Sequence, residues 1–177
     1  MAQPTVTLKW LKPIPIEELQ SNMDFIVSGV YCILRKYGEK TTIFYVGKSD
    51  SQGTQKRLKD HQNSGKTEKT KGKKYVTCAA INSENAKGLN CKVLIDDVES
   101  ALIYVSQPED NKQKKSSFNY KKAVTIKNTG SYPKEFGATI DFVKLYEQSR
   151  INPIKPKQKK KSDDEWPLGH VDFGLRL

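Results

Sequence analysis

Histidine, cysteine and arginine are all scarce in this chain of 177 residues, and each shortage narrows what it can be. The histidines, His61 and His170, and the cysteines, Cys32, Cys78 and Cys91, lie far apart, without the close Cys/His pairs that a zinc site needs. An odd cysteine count in apolar, strand-like surroundings points to buried free thiols and away from a disulfide framework. No run of about eighteen apolar residues is available for a membrane helix. Met1 to Leu8 also lacks the charged-then-apolar layout of a signal peptide. A cytoplasmic protein with no membrane partner is expected.

What is present in excess is positive charge. Lys and Arg total 31 against 20 Asp and Glu, a net charge of +11 at neutral pH. A field of this sign raises encounter rates with a polyanion, and lysine contacts to phosphate supply affinity without base information. Nucleic acid is therefore the expected partner. The lysines are clustered: Lys66, Lys69, Lys71, Lys73 and Lys74 in a Gly/Ser/Thr-rich stretch, then Lys112, Lys114 and Lys115, and finally Lys155 to Lys161 between prolines. The arginines are Arg35, Arg57, Arg150 and Arg176, too few for extensive bidentate base reading. Backbone contact is favoured over sequence recognition; DNA is the nucleic acid expected, with RNA left open.

Between the lysine clusters the pattern is that of mixed secondary structure. Gly29–Leu34 and Thr41–Val46 are rich in β-branched and aromatic residues and flank a turn at Lys36–Lys40, which predicts a hairpin. Ser51 to Asn63 reads as a short polar helix whose apolar residue is Leu58. Tyr75–Ile81 and Lys92–Ile95 have strand composition. Val98, Ala101, Leu102 and Val105 repeat at helical spacing from Asp96 until Pro108 stops the pattern. Ala123–Ile126 predicts a strand and Asn128-Thr129-Gly130 a turn, while Ile140–Glu147 suits either helix or strand. Residues 1–25 read as an N-terminal extension with a short helix at Glu17-Glu18-Leu19, 26–150 as the domain, and 151–177 as a basic, mobile tail.

The candidate chemistry starts with two triplets, Gly29-Val30-Tyr31 and Tyr45-Val46-Gly47, on neighbouring strands. Tyrosine in a hairpin is commonly a packing residue, so neither triplet carries weight alone. Arg57 and His61 share a helix face four residues apart, flanked by Lys56. A guanidinium can hold the charge that builds on phosphorane oxygens, and an imidazole or phenol can take a proton from water. Glu99 has two readings. It can complete a capping box with Asp96, or it can be the carboxylate of a largely hydrated Mg²⁺.

In this order, with Pro108 and Asn111 following Glu99, the set resembles the GIY-YIG nuclease superfamily over residues 28–112. That resemblance implies an α/β (α+β) domain, with a small central antiparallel β-sheet flanked by helices. It implies a metal-dependent endonuclease of restriction, mobile-element or repair type, using Mg²⁺ or Mn²⁺. Tyr31 would be the base or water-positioning hydroxyl, Tyr45 would orient water or phosphate, Arg57 would stabilise the transition state and Glu99 would hold the metal. Lys48 and His61 would assist, with Asn111 the expected asparagine in preference to Asn119 or Asn128. A tyrosine base requires a lowered pKa, which Lys48, Lys56, Arg57 and the metal would supply. Lys56 and the first two lysine clusters would hold the nucleic acid. One active site cuts one strand per encounter, so double-strand cleavage would call for a homodimer or two events. The alternative is a catalytically weak nucleic-acid-binding module of the same fold.

Overall fold

The computed structural model describes residues 3–25, 28–49, 56–59, 71–82, 84 and 86–153. Its strands are β1 (Thr5–Trp10), β2 (Ile14–Pro15), β3 (Gly29–Tyr37), β4 (Lys40–Ser49), β5 (Lys73–Ala80), β6 (Thr125–Gly130) and β7 (Thr139–Asp141). They form one sheet in the order β4-β3-β5-β1-β6-β7, with β2 paired to β5. All pairings are antiparallel except β1 with β6. The fold is thus mixed α+β around a mostly antiparallel sheet.

The predicted hairpin is β3 and β4, joined at Gly38-Glu39 with Gly38 in the left-handed region at φ 58. A register shift between Ile33 and Leu34 marks a bulge in this pair. Successive side chains of a strand face opposite sides, and both sides of β3 are buried. Val30 and Cys32 join Val6, Leu8, Trp10 and Val46 under the long helix Cys91–Ser106, which contributes Leu94, Val98, Ala101 and Leu102. Tyr31 and Ile33 face the other way, onto Leu19, Phe25, Phe44, Leu58, Val76 and Cys78. Leu58 is fully buried and fastens the helical residues 56–59 beside Tyr31.

Several expectations change. The segment read as an N-terminal extension places β1 between β5 and β6, because its alternating Val6, Leu8 and Trp10 are all buried. Lys92–Ile95 is the start of the long helix, whose N-cap is Asn90; its side-chain oxygen accepts from Val93 N at 3.2 Å. Asp96 is therefore inside the helix, and the capping-box reading of Glu99 is excluded. Asn128-Thr129-Gly130 is strand, not turn, running alongside Leu8–Trp10. Asn128 is held there by accepting from Trp10 Nε1 and donating to Gly137 O, both at 2.9 Å. Residues 140–147 divide: β7 ends at Asp141, whose carboxylate caps a helix over Phe142–Ile151. Cys32 and Cys78 are buried free thiols, whereas Cys91 is only half-buried. Among the described residues no helix is long and apolar enough to cross a membrane.

Candidate functional site

The glycines of the two triplets have steric roles. Gly47 lies opposite Tyr31 across β3 and β4, and a Cβ there would come within 2.6 Å of the Tyr31 ring and hydroxyl and 2.7 Å of the Tyr45 ring. Gly29 backs onto β5, where a Cβ would collide with the carbonyl oxygen of Ala79. With both positions bare, the rings of Tyr31 and Tyr45 settle 6.1 Å apart and their hydroxyls hydrogen-bond. Tyr31 is 1% exposed and Tyr45 half-buried, so Tyr45 carries the accessible end of the pair.

Arg57 and Glu99 both act electrostatically on both phenols. Residues from β3, β4, the helical segment and the long helix thus converge. Burial is the largest influence on Tyr31 and pushes its pKa far up; the nearby Tyr45 and Glu99 add to the rise, and Arg57 opposes it. Tyr45 is raised by burial and by Glu99, again against Arg57. The expected lowering of the Tyr31 pKa is therefore reversed in the protein: removing a phenolate from water outweighs one exposed guanidinium. Both hydroxyls are protonated donors at neutral pH.

Beside Tyr45 opens a cleft of about 610 Å³, also lined by Lys48, Glu99, Asp110, Asn111, Lys112 and Lys114. Its outer wall is the segment after the long helix, which lies along the free edge of β4. Glu109 N and Asp110 N donate to Ile43 O and Phe44 O. The Asn111 side chain accepts from Val46 N at 2.9 Å and donates to Val46 O at 2.8 Å. Asn111 thus reaches the cleft but is occupied with the β4 backbone, which makes it a positioning residue. Asn119 and Asn128 bond elsewhere.

Lys48 is paired with Asp96, and its ammonium holds that carboxyl below the usual carboxylate range. Glu99, 9% exposed, accepts from Lys114 Nζ at 2.6 Å. Lys115 donates to Pro108 O. Lys56, Lys71, Lys73 and Lys112 are exposed, as nucleic-acid contacts would have to be. Lys74 is not: it is 5% exposed with its ammonium 5.1 Å from the centre of the Phe44 ring, and burial lowers its pKa. His61, Lys66 and Lys69 lie outside the described residues, as does the chain from 154 onward.

Comparison with known families, curated proteins and solved structures finds no match. Among the described residues no three His, Cys, Asp or Glu side chains gather as a metal-ligand cluster. Glu99 nevertheless suits a hydrated cation, because its mostly buried carboxylate already takes a positive partner at the cleft. Asp96 and Asp110 are additions to the sequence-based site, while Lys114, expected as a nucleic-acid contact, is paired with Glu99. Asp96 resembled a helix cap, and Asp110 belongs to a loop without periodicity to mark it.

Proposed function

We propose that this chain is a metal-dependent endonuclease of the GIY-YIG type, hydrolysing phosphodiester bonds in DNA. The observation that carries this reading is the convergence of Tyr31, Tyr45, Arg57 and Glu99 from separate elements beside a cleft lined by Lys48, Lys112 and Lys114. The antiparallel strands β4, β3 and β5, with the long helix against them, support the same fold type.

Each residue has a role matched to its surroundings. Arg57, exposed, holds the non-bridging phosphate oxygens and the charge that grows on them. Tyr45 donates its proton in a hydrogen bond to phosphate or to the attacking water, and Tyr31 orients Tyr45 from beneath. Because both phenols stay protonated, the proton from water passes to His61, four residues beyond Arg57. Glu99 would hold Mg²⁺ or Mn²⁺, which supplies Lewis-acid polarisation of the phosphoryl oxygen. Lys56, Lys71, Lys73 and Lys112 fix the strand through its backbone.

The test is nicking of supercoiled plasmid with Mg²⁺ or Mn²⁺, with and without chelator. Arg57→Ala and Glu99→Gln are expected to lower turnover by about a hundredfold to a thousandfold. Undiminished cleavage by either variant, or no metal-dependent cleavage by the wild type, sinks the catalytic reading. A second reading, a nucleic-acid-binding module with little turnover, is favoured by the raised tyrosine pKa values and by Lys114 on Glu99. It predicts affinity that falls steeply with salt and no cleavage with any divalent ion.

A further inference from the structure

The Glu99 carboxylate already has a cation of its own. Lys114 Nζ donates to Oε2 at 2.6 Å, although Glu99 belongs to the long helix and Lys114 to the loop beyond it. That loop is secured on both sides of Lys114. Asn111 is clamped to both polar atoms of the Val46 backbone, Gln107 Nε2 donates to Lys115 O at 2.8 Å, and Lys115 donates to Pro108 O. Lys114 itself adopts φ 63, a left-handed conformation that L residues other than glycine, asparagine and aspartate seldom take. The loop thus holds a disfavoured backbone and places an ammonium on the carboxylate read as the metal ligand.

We propose that Lys114 is a resident counter-cation that keeps Glu99 closed to a divalent ion until a phosphate group enters the cleft and draws the ammonium away. This rests on the reading of Glu99 as the metal ligand. An ammonium and a divalent cation repel one another strongly at a shared carboxylate. Lys114 and Lys112 line the same cleft as Glu99, so an incoming phosphate offers Lys114 a second anion within reach. Once it moves, the carboxylate is open. Phosphate and metal then bind with positive coupling, and by linkage each strengthens the other equally. The free protein is left with low affinity for divalent ions, and the complete site assembles only on substrate.

The experiment measures Mn²⁺ binding to the full chain by loss of the free-ion EPR signal, with and without a phosphorothioate octanucleotide, corrected for Mn²⁺ bound by the oligonucleotide alone. Wild type is expected to bind weakly and to tighten with the oligonucleotide by about tenfold to a hundredfold, the worth of a charge-assisted hydrogen bond. Lys114→Met should show that gain without the oligonucleotide and little further gain with it. Lys114→Gln, which keeps a donor but not the charge, should behave similarly and covers the case in which the methionine variant fails to fold. If both folded variants match wild type while Glu99→Gln abolishes Mn²⁺ binding, the counter-cation role is overturned and the metal-site reading stands. If Glu99→Gln leaves Mn²⁺ binding unchanged, the metal-site reading fails and this proposal fails with it.

Discussion

Tyr31 and Gly47 face each other across two strands, and the glycine is what lets the phenol lie where it does. Gly47→Ala would push a methyl against both tyrosine rings. Overpacking of this kind costs roughly 1–3 kcal/mol, visible as a lower urea midpoint, and on the proposed reading plasmid nicking should fall further than stability because the hydroxyl pair is displaced. The pKa shifts of the same tyrosines give a second prediction. Both phenols are raised above the ordinary value of about 10, so the folded state holds their protons more tightly than the unfolded chain does. Their contribution is fully present below that value and is lost as pH rises through it toward the folded pKa. Urea midpoints should therefore be insensitive to these groups near neutrality and fall under alkaline conditions. Tyr31→Phe should flatten the alkaline fall; an unchanged slope would show that burial does not control this phenol. The triplets could be noticed in the sequence because spacing is local. The direction of the shift could not, since it depends on Leu19, Phe25 and Leu58 closing over the ring.

The long helix is the element whose sequence was most informative and also most misleading. Its apolar repeat at Val98, Ala101, Leu102 and Val105 is visible in any window, and the structure buries the first three fully. Its start was displaced because Lys92–Ile95 has strand-like composition, while the signal that decides the boundary is a single asparagine. Asn90→Ala should remove the cap and cost about 1 kcal/mol. Asp96→Ala, which deletes the carboxylate paired with Lys48, should leave the helix start intact. Chemical denaturation, with amide exchange at Val93 and Leu94, distinguishes the two positions; equal loss of first-turn protection in both would restore Asp96 as a cap. The helix matters to the site because its register presents Glu99 to the cleft, while Leu102, three residues later, anchors it in the core.

At the scale of the whole molecule, β1 determines how far the sheet extends. It joins the β4-β3-β5 strands that carry the candidate site to the β6-β7 pair, using antiparallel pairing on one side and parallel on the other. Its buried Val6, Leu8 and Trp10 belong to the main core. Deleting residues 1–10 should therefore give an aggregated or unfolded product, measured by soluble yield and circular dichroism. A folded, active truncation would show that the site half of the sheet stands without it. Parallel pairing between residues more than a hundred positions apart has no local signature, which is why an alternating six-residue segment before a proline-broken stretch passes for an appendage.

The sequence by itself determined the charge and hence the polyanionic partner expected, the hairpin with its paired tyrosine triplets, and the amphipathic run of the long helix. Each depends on composition or on periodicity within a short window. Tertiary structure decided the rest: β1 in mid-sheet, Asn111 on the Val46 backbone, Lys74 buried beneath the lysine surface, and Lys114 on Glu99. Those outcomes turn on which distant groups share a desolvated volume, and burial there also raises the pKa of the tyrosines that sequence alone suggested as bases.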